Sequence, residues 1–303
     1  MTALAGCTCE RPLFVCGDTR RSAGEVASRV GALAAALRIN AGTLPGDRVV
    51  LITRGSAAAF EALLAVLAAG AVAAPLNVRW SAGEAAAAAD LVGAAAVVFD
   101  TASSRLALPL LSGNARRTGV CLDDVGASSG SGGKGGGGGG SGAAAPMPAA
   151  FSSEALVLRH AGARLEPVLA PEGAAVVCFT SGTTGAAKGA LLTHGAFHCQ
   201  AVAKLLEVGY SGRDVYLHCA PLFHIGGLSS ALAVLAAGAV QVFMPMFSAP
   251  AALALIARHR VTALIAVPAM LVDLLGAHHD GRPARAHQEL LRRLAGAPAQ
   301  SRM

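Results

Sequence analysis

Residues 176–189 read VVCFTSGTTGAAKG. Four residues of high strand propensity, Val176, Val177, Cys178 and Phe179, run without a break into hydroxyls and glycines, which is how a buried parallel strand ends at a ligand site. The loop holds Thr180, Ser181, Gly182, Thr183, Thr184 and Gly185, followed by Lys188 and Gly189. Glycine admits positive φ and lets backbone N–H groups approach an anion, while the hydroxyls and the lysine ammonium can donate to its oxygens. The chemistry is that of a phosphate cradle. Its spacing, Gly-x-x-Gly-x-x-Lys-Gly, differs from the Walker form. A polar turn with one solvated lysine would look similar, but only three of the 24 basic residues are lysine, namely Lys134, Lys188 and Lys204. A compact, flexible ammonium in this loop has a use distinct from that of a planar guanidinium.

Outward from this stretch, strands alternate with helices. Ser22 and Glu25 form a capping-box pattern ahead of the apolar face Val26, Val30, Leu33 and Leu37, and Ser81 with Glu84 repeats it. Gly46 to Ile52, Val72 to Leu76 and Ala95 to Asp100 read as buried strands, with a helix over Ser56 to Ala69 and Gly70 in the turn. After the loop come a helix from His194 to Val208, the strand VYLHC, a helix near Leu228 to Ala237, the strand VQVFM, a helix from Ala249 to His259 and the strand ALIAV. The octapeptide AVLAAGAV occurs at Ala65 to Val72 and again at Ala233 to Val240, which predicts two related αβ units. The pattern implies an α/β protein with parallel, helix-covered sheets. Gly126 to Pro148 is almost entirely Gly, Ser, Ala and Pro and cannot offset its ordering entropy. It reads as a flexible insertion, giving a first αβ subdomain over 1–125, an insertion over 126–150 and a second subdomain over 151–303.

Composition narrows the classes. The chain of 303 residues carries a formal charge of +6 spread over many arginines, with no basic run interleaved with aromatics, so a nucleic-acid surface is not expected. The odd count of seven cysteines forms no disulfide framework and suggests a reducing, intracellular compartment. His194 and His198, followed by Cys199, have helical spacing for a metal pair but adjoin the phosphate loop, and no metal site is expected there. Val215 to Ala257 contains no Asp, Glu, Lys or Arg, which would suit a membrane span, but prolines and His224 subdivide it. A buried helix–strand pair in a soluble core gives the same run.

The segment TSGTTGAAKGALLTHGAF resembles the phosphate-loop signature of the adenylate-forming superfamily of acyl-CoA synthetases, luciferases and peptide-synthetase adenylation domains, with Ala187 where that family usually has proline. VYLHCAPLFHIGGLSSALAVLAAGA is similar to its second signature; together with APLNVRWS and VPAMLVDLL it looks most like plant and algal 2-succinylbenzoate:CoA ligases. The resemblance implies two doubly wound αβα subdomains of a large N-terminal domain, and an AMP-forming acid:CoA ligase that uses ATP, Mg²⁺ and CoA, in naphthoquinone (phylloquinone) biosynthesis. It implies that Thr180, Ser181, Gly182, Thr183, Thr184, Gly185, Lys188 and Gly189 hold the ATP phosphates, with Lys188 and His224 as catalytic groups. It further implies that His224, Gly226 and Gly227 face the acid, and that Gly296, Ala297 and Pro298 begin an adenine loop. The family's later motifs and small C-terminal domain are not found in the sequence. The expectation is an incomplete, inactive N-terminal portion, or else a non-catalytic nucleotide-binding short form. Ser301-Arg302-Met303 resembles a peroxisomal signal, which leaves peroxisome, plastid or cytoplasm open.

Overall fold

The computed structural model describes residues 11–122, 150–163, 166–180 and 187–276. In chain order the elements are β1 (Phe14–Cys16), β2 (Thr19–Arg21), α1 (Ala23–Ile39), β3 (Arg48–Ile52), α2 (Ala57–Ala68), β4 (Val72–Pro75), α3 (Ala82–Leu91), β5 (Ala96–Asp100), α4 (Ser104–Ser112) and β6 (Thr118–Leu122). They continue as β7 (Ala150–Ser152), α5 (Ser153–Arg159), β8 (Ala174–Thr180), β9 (Lys188–Thr193), α6 (His194–Glu207), β10 (Val215–His218), α7 (Ile225–Ala236), β11 (Val240–Phe243), α8 (Ala249–His259), β12 (Ala263–Leu264) and α9 (Pro268–Gly276).

Local chemistry sets many of these boundaries. At the start of α1 the Ser22 hydroxyl accepts from the Glu25 N–H, and the Glu25 carboxylate accepts from the Ser22 N–H at 2.7 Å. Ser81 and Glu84 repeat the reciprocal pair at α3, so two otherwise orphaned donors are satisfied in each helix. Both copies of AVLAAGAV have the same form. Helices α2 and α7 end at Ala68 and Ala236, Gly70 and Gly238 take φ of 77° and 68°, and strands begin at Val72 and Val240. A left-handed glycine lets the chain reverse off the helix without a Cβ penalty.

Two sheets result. The seven-stranded sheet has the order β7-β6-β5-β3-β4-β8-β9 and is parallel except for the edge pair β8–β9. The five-stranded sheet has the order β12-β10-β11-β1-β2 and is parallel except for β1–β2. Helix α2 lies between them. Phe60 on α2 packs against Phe14 of β1 and Phe243 of β11, with ring centroids 5.6 and 6.0 Å away. The same apolar cluster takes in Val49, Leu51 and Val176 of the larger sheet. Helices α3 and α4 cover that sheet's far face, and α8 and α9 cover the smaller one. Polar groups reinforce the shared layer. Fully buried Glu61 on α2 accepts from Arg21 at 2.6 Å and from Arg29 at 2.9 Å, and Arg29 also donates to Glu154 on α5. Removing Glu61 would take from buried Arg21 its close carboxylate partner.

The sheets do not divide the chain at the glycine-rich segment. Strands β7, β8 and β9 follow that segment yet belong to the sheet built from β3 to β6, whereas β1 and β2 precede it and pair beside β11. The division into 1–125 and 151–303 therefore separates strands that pair with one another. Alternation along a sequence reports local elements, while pairings such as Phe14 with Gln241 are decided by packing across the whole molecule. Residues 126–148, read as a flexible insertion, lie outside the described residues; the strands on either side, β6 and β7, are parallel neighbours. The uncharged run from Val215 is divided among β10, α7, β11 and α8. Among the described residues no helix is long and apolar enough to cross a membrane.

Candidate active site

A cavity of about 720 Å³ opens where the C-terminal ends of strands from both sheets converge. Its walls are Thr53 to Gly55 after β3, Asn77 to Arg79 after β4, the turn from His218 to His224 after β10, Phe243 to Phe247 along and after β11, and Ile265 to Val267 after β12. Open α/β sheets gather ligands at this edge because the strand-to-helix turns there present backbone and side-chain donors. The two rims are pinned together. The Gly55 N–H donates to the Pro245 carbonyl at 3.0 Å, and a Cβ on Gly55 would stand 2.4 Å from the Met244 carbonyl oxygen.

His224 is the N-cap residue of α7, with extended φ and ψ of −104° and 139°. Its backbone N–H donates to the Pro221 carbonyl at 3.2 Å, while its side chain makes no capping bond. The imidazole lies on the cavity wall beside the Phe223 ring, at 4.7 Å between centroids. Partial burial, with a smaller contribution from nearby Arg79, pushes its pKa below the ordinary histidine value. It is therefore a neutral donor and acceptor at pH 7.

The glycines have more structural parts than the sequence suggested. Gly227 is buried, and a Cβ there would meet the Pro221 and Ala220 carbonyl oxygens at 2.3 and 2.8 Å. It is needed so that the first turn of α7 can press against the turn before it. Both glycines line the cavity, but a Cβ on Gly226 would meet only Ile265 Cδ1, at an ordinary 3.5 Å. Of this pair, it is Gly226 whose Cβ position is open.

The phosphate-loop residues are divided by what the structure describes. Ser181, Gly182, Thr183, Thr184 and Gly185 lie outside the described residues, as do Gly296, Ala297 and Pro298. Lys188 does not stand in a loop: it opens the edge strand β9 directly across from Thr180, whose hydroxyl reaches the Lys188 carbonyl at 3.5 Å. Lys188 is exposed. Gly189 faces Phe179, and a Cβ there would press to 2.7 Å from Val177 Cγ1, so its missing side chain serves the hairpin. Strand β9 was not foreseen, because alternation of strand and helix predicts a helix directly after the loop. The strand that precedes His224, β10, and the phosphate-loop strand β8 belong to different sheets. Thr180, Lys188 and Gly189 are not among the residues that line the cavity.

Several polar groups on the cavity wall escaped sequence reasoning. Arg54 and Arg79 supply positive charge, and Asp273 on α9 supplies negative charge. His218 was read as the interior of a strand; its Nε2 lies 2.8 Å from Gln241 Oε1, and its ring stacks on Phe243 at 4.4 Å. Complete burial lowers its pKa to about 4. The available signal was a polar residue at or just past the end of each buried strand, as at Thr53, Asn77 and His218. Among the described residues no group of three or more His, Cys, Asp or Glu side chains could hold a metal ion.

Two open sheets sharing a cleft at their strand ends, with α2 packed between them, define a two-lobed ligand-binding α/β protein. The AMP-binding enzyme family matches residues 2–302, and the chain belongs to that family. Over 91% of its length it is 35% identical to a 2-succinylbenzoate–CoA ligase, chloroplastic/peroxisomal, of Arabidopsis thaliana, of which it covers 47%. Over 40% of its length it is 41% identical to an indoleacetate–CoA ligase of Aromatoleum aromaticum, of which it covers 24%. The chain thus spans about half the length, or less, of these curated relatives. Among solved structures, an o-succinylbenzoate CoA synthetase of Bacillus subtilis in complex with its acyl-adenylate intermediate matches with a TM-score of 0.72 at 23% identity. That match covers 94% of this chain and 65% of that one. A benzoate CoA ligase of Burkholderia xenovorans matches with a TM-score of 0.76 at 22% identity, covering 94% and 52%. At these identities the structures speak for the fold.

Proposed function

We propose that this chain serves an AMP-forming acid:CoA ligase whose acid is 2-succinylbenzoate. The observation that carries the proposal is His224 at the head of α7, its imidazole unspent on capping, on the wall of a cavity at the strand ends of both sheets. The likeness to the Arabidopsis ligase supports the choice of acid. In the first step a carboxylate oxygen of the acid bonds to the α-phosphorus of ATP, and the bond to the β-phosphate oxygen breaks to release pyrophosphate. In the second, the CoA sulfur bonds to the acyl carbon and AMP leaves. Thr180, Ser181, Gly182, Thr183, Thr184, Gly185, Lys188 and Gly189 hold the β- and γ-phosphates, and Lys188 meets the charge that grows on departing pyrophosphate. Neutral His224 donates to an oxygen of the acid or the α-phosphate. Preorganised donors of this kind are worth about 3 kcal/mol each. Arg79 adds positive charge beside the same rim. Mg²⁺ is proposed as the companion of the triphosphate, and no step is assigned to it. The reading extends to phylloquinone biosynthesis in a plastid or peroxisome, supported by the named location of the Arabidopsis relative.

Calorimetric titration tests this. The chain should bind MgATP and 2-succinylbenzoate, Lys188→Ala should weaken the first at least tenfold, and His224→Ala should weaken the second. Retention of full MgATP affinity by Lys188→Ala would overturn the assignment of the phosphate side, and absence of any acid binding would overturn the choice of substrate.

A further inference from the structure

Helix α6 continues directly from β9, with Thr193 as its N-cap, and Phe197 is its one buried residue. Its outer positions are exposed, Val202 and Leu206 at 41% and 77%. A helix with so little buried apolar surface needs another attachment. Lys204 supplies it: its ammonium donates to Ser229 Oγ at 2.7 Å and to Ser230 Oγ at 2.8 Å, both on α7. The two serines are 2% and 1% exposed on an otherwise apolar helix. Buried hydroxyls on a helix are costly unless bonded, so Lys204 and the serine pair answer each other's needs. Among the described residues Lys204 has no carboxylate partner. Its surroundings are Phe197's side of α6, the serines, and the Tyr210 phenol, which sits beside Ser230. The Asp214 carboxylate near Tyr210 is occupied by the Ser211 N–H at 2.8 Å and the Thr262 hydroxyl at 2.9 Å.

The same two helices carry the two halves of the candidate site. Lys188 opens β9, which runs into α6, and His224 caps α7. Strand β9 is an edge strand, held on one side by β8 alone. We propose that Lys204 is a positioning residue: its bonds to Ser229 and Ser230 clamp the β9–α6 segment to α7 and so fix the phosphate side of the site relative to the acyl side. The consequence for ligands rests on the function proposed above; the clamp itself does not. Methionine at this position would keep the stem and remove the donors, so any change reports the bonds and not the packing of the side chain.

Amide hydrogen exchange on the free chain tests the clamp. Lys204→Met should raise exchange across residues 188–207 at least tenfold and leave β3 and α2 unchanged, and Lys204→Arg should restore most of the protection. Ser229→Ala with Ser230→Ala, which leaves good helix formers in α7, should reproduce the effect, and adding it to Lys204→Met should change nothing further. Unchanged exchange over 188–207, or a uniform rise over the whole chain, would overturn the clamp. Titration supplies the second readout. Pyrophosphate should tighten 2-succinylbenzoate binding in the wild type, and Lys204→Met should abolish that coupling while each ligand alone keeps its affinity within twofold. Retained coupling would overturn the positioning role. If neither ligand binds the wild type, the function proposed above falls, and the exchange measurement alone decides the clamp.

Discussion

Lys188 stands exposed at the start of an edge strand paired on one side, whereas His224 caps a helix whose next turn is pressed against the Ala220 and Pro221 backbone. The hairpin side presents a charge on a scaffold that tolerates change, and the cavity side presents a neutral imidazole on one that does not. Under the proposed reaction, the lysine that follows a departing anion gains from a flexible stem and solvent on one side. The histidine proposed to meet an acid at a fixed angle gains from rigid support.

The largest expected contrast lies in protonation on the cavity side. His218 falls to about 4 in the folded chain, against about 6.5 when unfolded. Between these values the unfolded chain holds the extra proton, so stability should rise with pH from about 4 to about 6.5 and be complete above that. The span is about 3 kcal/mol. Urea melts across this range should show the slope, and His218→Phe should reduce it, leaving the part owed to the other histidines whose pKa burial lowers, His194, His224 and His259. Next in size is Gly227→Ala, whose Cβ would strike two backbone carbonyls. It should cost about 2 kcal/mol in a denaturant melt, whereas unaltered stability would mean that the turn can yield. Lys188→Ala should change stability by less than about 0.5 kcal/mol, as exposed substitutions generally do, while reducing pyrophosphate affinity at least tenfold. Smallest is Gly226→Ala, expected within about 0.5 kcal/mol of the wild type in the same melt, since its Cβ meets only a side-chain methyl.

Legibility followed the range of the interactions. The capping boxes at Ser22 and Ser81 and the paired turns at Gly70 and Gly238 involve residues three or four apart, and the sequence carries them in full. The pairing of β1 with β11 joins residues more than two hundred positions apart; no periodicity encodes it, nor the sharing of one sheet by strands on either side of the glycine-rich segment. His224 could be singled out because PLFHIGG is a local pattern. Gly227 could not be separated from Gly226, since the difference lies in what each one faces, backbone carbonyls or a side-chain methyl. His218 and Gln241 each read as strand interior, and only the register of β10 with β11 brings them together. Strand β9 was hidden because KGALLT has no strand alternation and is exposed for most of its length.

If the hairpin and the cavity serve one nucleotide-dependent reaction on a carboxylic acid, as proposed, ligands should engage both together. Hydrogen-exchange footprinting of the chain with MgATP and 2-succinylbenzoate together addresses it most directly. Protection should appear in two places at once, over residues 180–189 and over residues 221–227, with β5 and β6 unchanged. Protection at only one of them, or at neither under saturating ligand, would contradict the claim.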